Sequence, residues 1–415
     1  MSLRILYLLT QDLESPSGLG RYAPLAQELA RRGHRVTIAT LHSDYSRLKE
    51  KKCIQERLEI RYVAPMHVKK QQDRKTYYSP WQLLGVTAWA SVALLRAVSQ
   101  IPADIIHIGK PHPMNSLAGL LGKFLKGAST QIYLDCDDYE AGVGFFARPW
   151  QKKVIQLFEN RVPLHVDYVT THTDFMQLFL QRLGVSQSRI FYLPNGVDRR
   201  RFLPPDPEEV GKLRHQLGLA ERKVVLFVGS LSRPGHPVDL LLRAFARVHS
   251  AQPQSVLLLV GGGEDFQNLR AEIGRTGLGA SVIMAGRVPP SQTVLYYHLG
   301  DVSVDPVLED GAAKGRCPLK LFESWACSVP YVSADVGDRR KLLGDPPCGL
   351  LTKPADPCAL ADAILKILRH PDLGQNLCQL GRRQVESFYW DRLAEQMEAI
   401  YQKNQRSRLA REQGF

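Results

Sequence analysis

Residues 223–263 read KVVLFVGSLSRPGHPVDLLLRAFARVHSAQPQSVLLLVGGG, and this stretch decides the fold class. Lys223–Val228 is an apolar run closed by Gly229, Pro237–His249 carries its apolar residues at helical spacing, and Ser255–Val260 is a second apolar run closed by three glycines. Strand, helix and strand within this length predict a parallel βαβ unit, because only a strand buried on both faces is apolar at every position. Glycines at the strand ends let a ligand approach the backbone.

Working outward, the same alternation continues in both directions. Downstream come helix Phe266–Arg275, strand Ser281–Ala285, helix Ser291–Leu299, strand Val302–Val304, helix Leu319–Cys327, strand Tyr331–Ser333 and helix Pro357–Arg369. Upstream, strands are predicted at Arg4–Thr10, Arg35–Thr40, Ile60–Val63, Asp104–Ile108, Gln131–Leu134 and Tyr168–Thr171. Helices are predicted at Arg21–Arg32, Trp81–Val98 and Met114–Leu125. The expected class is therefore α/β with two Rossmann-like parallel-sheet domains. The Pro- and Arg-rich break at Pro194–Pro207 separates an N-terminal domain, 1–197, from a C-terminal one, 198–387. A last helix, about 388–404, is expected to pack back on the first domain, ahead of a frayed basic tail, 405–415. Parallel sheets bind ligands at the carboxyl ends of their strands, so two facing domains predict an interdomain cleft.

The chain has 415 residues and a formal net charge of +13. Residues 1–200 hold 27 Lys and Arg against 17 Asp and Glu, and the rest 27 against 24. No nucleic-acid motif accompanies that excess and aromatics are not interleaved with it, so nucleic acid is not expected as a partner. The basic stretch Arg57, Arg61, Lys69, Lys70, Arg74 and Lys75, followed by Tyr77, Tyr78 and Trp81, suits an anionic membrane surface as well as a solvated loop. The uncharged run Trp81–Leu95 falls short of the roughly 20 residues that cross a bilayer. Seven scattered cysteines without a C-x-x-C pair indicate neither a disulfide framework nor a zinc site. The N-terminus reads as a buried strand rather than a signal peptide, and the expected location is the cytoplasm, either free or peripheral on the inner face of the membrane.

At YLPNGVD (192–198), followed by Phe202 and Pro204, the chain resembles the family 4 glycosyltransferases of GT-B fold. The resemblance extends through RRGHRVTIAT (31–40), VVLFVGSL (224–231), LLLVGGGED (257–265), VIMAGRVP (282–289), PLKLFESWACSVPYVSADVGD (318–338) and FYWDRLAEQMEAIY (388–401). It implies a retaining transfer of a sugar from a nucleoside-diphosphate sugar to a hydroxyl acceptor, which is a glycan, a lipid-linked sugar or a small molecule. It implies no cofactor and no metal.

The resemblance also assigns residues. Glu323 matches the second of two glutamates eight apart, the one that holds the donor ribose; a carboxylate accepts from two adjacent hydroxyls at once. The first is replaced by Gly315, so Glu309 or Asp310 would have to supply its contact. The usual diphosphate pair is replaced by Ser230 and Gly235, leaving Arg233, Lys314, Arg316 and Lys320 as candidates for the charge that a departing diphosphate needs. Leu321, beside them in PLKLFE, is placed in the donor site, as are Gly262 and Arg287 at strand ends. Gly18 and Gly20, with Arg21, form the loop that faces donor phosphates and acceptor. Their spacing is not the full dinucleotide fingerprint and no acid ends the second strand, which argues against NAD. His107, at a strand end, and Asp137, near the reacting sugar, are the catalytic candidates, with His112 in the loop beyond. A non-catalytic relative and a nucleotide-sugar epimerase of the same fold are the alternatives.

Overall fold

The computed structural model describes residues 2–412 apart from Pro16, Gln72, Asp73, Ala128, Gly144, Phe145, Ala147 and Pro234. Two compact units emerge, Met1–Gly196 with Trp390–Phe415, and Val197–Tyr389.

In the first unit the chain runs β1 (Arg4–Leu8), α1 (Ala23–Arg31), β2 (Arg35–His42), β3 (Lys52–Gln55), β4 (Leu58–Pro65), β5 (Val68–Gln71), β6 (Arg74–Tyr77) and α2 (Pro80–Gln100). It continues through β7 (Ile105–Gly109), α3 (Pro113–Lys126), β8 (Gln131–Cys136), α4 (Glu140–Val143), α5 (Pro149–His165), β9 (Tyr168–Thr171), α6 (Asp174–Arg182) and β10 (Ile190–Tyr192). Eight strands form one sheet in the order β10-β9-β8-β7-β1-β2-β4-β3, parallel except for the β3–β4 pair. Alternation along β1 divides the core. Leu6 and Leu8 enter a layer covered by α2, α3, α5 and α6, whereas Ile5 and Tyr7 enter the opposite layer with α1 and the last helix.

The second unit comprises α7 (Pro207–Gln216), β11 (Lys223–Val228), α8 (Val238–Ala251), β12 (Ser255–Val260), α9 (Phe266–Arg275), β13 (Val282–Gly286), α10 (Thr293–Tyr297) and β14 (Val302–Asp305). There follow α11 (Gly311–Lys314), α12 (Leu319–Ala326), β15 (Tyr331–Ala334), α13 (Arg339–Leu343), β16 (Leu350–Thr352), α14 (Pro357–Arg369) and α15 (Pro371–Val385). Its six-stranded parallel sheet has the order β13-β12-β11-β14-β15-β16. Val225 and Phe227 of β11 face the layer under α8 and α14, and Val224 and Leu226 the layer under α12.

The chain then returns to the first unit as α16 (Trp390–Glu412), which packs along α1. The tail expected to fray is instead helical to Glu412. Helix α2 is longer than the apolar run predicted: its 21 residues are long and apolar enough to cross a membrane. Ala90, Leu94, Ala97 and Val98 are nevertheless buried in the first unit's own core.

Candidate functional site

The carboxyl ends of β11, β12 and β14 carry the second unit's concentration of charge. Here two glycine turns run against each other: a Cβ on Gly261, whose φ is +141°, would lie 1.9 Å from the Gly229 carbonyl oxygen. Gly263 abuts the Leu231 backbone in the same way. Asp305 closes β14, fully buried, and accepts from Lys320 Nζ at 2.8 Å, Arg339 Nη2 at 2.9 Å and Tyr331 Oη at 3.1 Å. Burial alone would raise the Asp305 carboxyl; Lys320 and Arg339 outweigh it and hold it far below the usual range. Lys320 Nζ sits 4.5 Å above the Phe227 ring and 3.4 Å from the point where a Gly229 Cβ would stand. Arg316 Nη1 donates to the Gly235 carbonyl at 2.7 Å. His236, edge-on to Phe227, is kept neutral by burial and by the neighbouring Lys320 and Arg316 cations, which together hold it well below its ordinary pKa.

The residues singled out from the sequence fare differently. Glu323 lies on α12, and its carboxylate accepts from Tyr297 Oη at 2.8 Å with Arg201 Nη2 3.8 Å away. Lys320 and Arg316 belong to the charged cluster. Leu321 does not: its side chain is fully buried in the apolar layer, so only its backbone could meet a ligand. Arg233 lies apart too, with its guanidinium taken by Glu272 of α9. Lys314 pairs with Glu309 at 3.1 Å, and Asp310 caps α11 through the Ala313 amide. Gly262 follows β12, its carbonyl bonded to the Leu231 amide, and Arg287 is exposed just beyond β13.

In the first unit, Gly18 and Gly20 lie in a short π-type turn, Gly18–Tyr22, that leads into α1. A Cβ on Gly18 would meet the Asp12 carbonyl at 2.5 Å, so the glycine is required by the chain's own fold. Pro16 of the same loop lies outside the described residues. Arg21 does not face a phosphate. It grips both oxygens of Asp135 and donates to the Leu193 and Pro194 carbonyls and to Asn195 Oδ1.

His107 lies mid-strand in β7 rather than at a strand end. It is enclosed by Tyr7, Tyr133 and Tyr401, with Nδ1 2.6 Å from Tyr401 Oη. Burial lowers its pKa to about 4. Closed off in this way, it is a core histidine and cannot touch a substrate.

Asp137, just past β8, is the buried member of a carboxylate cluster. Lys110 Nζ reaches Asp137 at 3.0 Å, Asp138 at 3.0 Å and Glu140 at 2.5 Å, and His112 Nε2 lies 3.1 Å from Glu140. The three carboxylates are close enough together to hold a metal ion, but the Lys110 ammonium already fills their centre. One ammonium cannot neutralise three acids, of which Asp137 is the buried one. Desolvation pushes Asp137 up to about 8, with Asp138 and Asp135 adding to the rise, so that it carries a proton at neutral pH. Lys110 itself has a φ of +66°, a left-handed conformation costing a non-glycine residue roughly 1–2 kcal/mol, and it holds its ammonium within 3.0 Å of all three acids.

Sequence reading passed over Lys110, His236, Asp305 and Arg339. The one signal for them was the acid closing the buried strand VSVD at Asp305.

Comparison with known proteins matches the two units in turn. Residues 17–196 fit the family described as "Glycosyl transferase 4-like domain", and residues 222–370 fit "Glycosyl transferases group 1". The chain belongs to the family 4 glycosyltransferases. It is 24% identical over 340 residues to a GDP-mannose-dependent monoacylated alpha-(1-6)-phosphatidylinositol monomannoside mannosyltransferase of Corynebacterium glutamicum, covering 81% of this chain and 86% of that one. Against a D-inositol 3-phosphate glycosyltransferase of Acidothermus cellulolyticus it is 32% identical over 241 residues, which cover 56% of this chain and about half (51%) of the relative. Solved glycosyltransferases share the fold. Sucrose-phosphate synthase from Thermosynechococcus elongatus superimposes with a TM-score of 0.74 at 22% identity, covering 96% of this chain and 98% of that one. Anabaena Alr3699/HepE in complex with UDP-glucose does so with 0.72 at 18% identity, covering 97% and 100%. This glycosyltransferase therefore has the GT-B fold, with main sheets of eight and six strands.

Proposed function

We propose that the glycosyltransferase moves a sugar to a hydroxyl acceptor with retention of anomeric configuration, its donor diphosphate neutralised by Lys320 and Arg316 and its donor ribose held by Glu323. One observation carries the reading: Lys320 and Arg339 share a single carboxylate, Asp305, at the ligand end of a parallel sheet, and the Arg316 cation lies close enough to Lys320 to disfavour its charge, so positive charge exceeds negative there. The surplus positive charge is what a departing diphosphate requires, and preorganised charge in a water-poor site is the largest single source of rate. The family's usual Arg and Lys are absent at Ser230 and Gly235, and the cluster supplies the same charge from α12 and its approach.

In this mechanism the glycosidic bond to the diphosphate breaks first, positive charge develops on the sugar, and the acceptor hydroxyl attacks from the face the diphosphate leaves. The leaving phosphate takes the hydroxyl proton, so no separate base is needed. The test is the anomeric configuration of the product by NMR, together with donor affinity in Glu323→Gln and Arg316→Gln variants. Inversion of configuration, or unchanged donor affinity in both variants, overturns the reading. A nucleotide-binding protein without turnover, the second reading suggested by Gly315, predicts donor binding and no transfer to any hydroxyl.

A further inference from the structure

Of the fourteen exposed large apolar side chains among the described residues, ten lie on just three helices, α2, α3 and α5. On α2 they are Trp81, 84% exposed, Leu84, 62% exposed, Trp89 and Val92, which fall on one stripe at helical spacing. Leu117, Leu121, Phe124, 86% exposed, and Leu125 make a second stripe on α3, and Trp150 and Leu157 continue it on α5. The helices are neighbours. Gly122 of α3 lies so close to α2 that a Cβ would meet the Val98 side chain at 2.4 Å, Lys126 Nζ donates to the Ser99 carbonyl, and α5 packs against α3. These contacts make α2 and α3 run side by side in the same direction, all on the face of the sheet opposite α1 and α16.

Charge on this face has one sign. The three helices carry Arg96, Lys123, Lys126, Lys152, Lys153 and Arg161, and their only acid, Glu159, is buried. Asp167, just beyond α5, balances Lys123 alone.

We infer that the α2–α3–α5 face lies on an anionic lipid bilayer, with Trp81, Leu84 and Phe124 inserted among the headgroups and the six cations set against the anionic surface. A large apolar stripe on a monomer marks a partner. A second copy of the chain is disfavoured, because a two-fold interface would press the same six cations against each other. Anionic lipid satisfies both features at once, as it does for interfacial helices with tryptophan on one side and lysine on the other. The helices remain part of the domain, so this is a surface contact rather than a span.

The contact differs from the basic stretch that sequence alone suggests. Arg57 and Arg61 there are tied to the Gly33 carbonyl and Glu59, Lys69 lies over Tyr78, and the side chains of Lys70, Arg74, Lys75 and Tyr77 lie outside the described residues. Only Trp81 is common to both. The inference is independent of which sugar is moved, and donor affinity reads the proposed function separately.

The test is co-sedimentation of the full chain with vesicles of phosphatidylcholine, alone or mixed with phosphatidylglycerol, in parallel with tryptophan emission. The wild type should sediment with the mixed vesicles, lose binding as salt rises, and shift its emission to shorter wavelength. The triple variant Trp81→Ser, Leu84→Ser, Phe124→Ser should bind at least about tenfold more weakly, given the transfer energy of buried apolar side chains. Lys152→Glu with Lys153→Glu should weaken binding about fivefold or more per cation. Both variants should keep the wild-type thermal midpoint and donor affinity. Three results would each overturn the inference: indifference to anionic lipid, full binding by the triple variant, or a concentration-dependent dimer that the triple substitution dissolves.

Discussion

Arg21 and Asp135 are joined by two hydrogen bonds, 2.6 and 2.7 Å long, with both side chains only 2% exposed. The pair ties the turn before α1 to the end of β8, and Arg21 extends the tie to Leu193, Pro194 and Asn195 at the end of the first unit. Removing one partner strands a buried charge. Arg21→Ala is expected to lower stability by about 3–5 kcal/mol, and the paired replacement Arg21→Met with Asp135→Leu to recover much of that. Urea unfolding followed by far-UV circular dichroism measures both; a loss below about 1 kcal/mol in the single variant would contradict the structural role.

Asp137 gives a pH signature. Its folded pKa, pushed up to about 8, lies far above that of an ordinary aspartate, so its contribution to stability is complete below the ordinary value and is lost as pH rises from there through about 8. In Asp137→Asn, which mimics the protonated acid, that loss disappears. The thermal midpoint of the wild type should therefore fall more steeply than the variant's between neutral pH and pH 9. Parallel curves would show that the proton is not on Asp137.

Two arginines separate donor binding from surface charge. Arg316, beside Lys320, should cost roughly ten- to a hundredfold in donor affinity when changed to Gln, the value of a charge-assisted hydrogen bond. Arg233, engaged by Glu272 and part-exposed, should cost less than about twofold, as exposed pairs do. Titration calorimetry with nucleoside-diphosphate sugars ranks the two, and equal losses would refute the placement of the diphosphate at the α12 cluster.

Glycines provide a contrast within one unit. Gly261→Ala forces a Cβ to within 1.9 Å of the Gly229 oxygen in a left-handed backbone, and the variant should accumulate unfolded or aggregated. Gly274→Ala on α9 meets open space and should raise stability by up to about 1 kcal/mol. Expression yield and thermal unfolding distinguish them.

The parallel strands were legible because burial on both faces leaves almost no choice but Val, Ile and Leu, as in VVLFV and SVLLLV. Helices that bury little were not. No residue of α7 is buried, and α5 buries only Glu159, Val162 and Pro163; without an apolar stripe there is no period to read. The polar edge strands β3, β5 and β6 escaped for the same reason. At the site, Glu323 could be found from its own motif. The Asp305 cluster could not, since Lys320 and Arg339 lie 15 and 34 residues from it in sequence. His107 misled in the opposite way: Tyr401, which encloses it, is 294 residues distant, and nothing local reveals that the imidazole is sealed in.

Because α16 returns after the second unit to supply Trp390, Leu393, Met397 and Tyr401 over Tyr7 and Tyr133, the part of that face of the first sheet that α1 does not cover stays bare until residues 390–401 have been made. Val197–Tyr389, by contrast, is uninterrupted and holds its own apolar layers. On the ribosome the half that emerges first is thus the half completed last, and its bare tyrosine face is where a nascent-chain chaperone would be needed for longest.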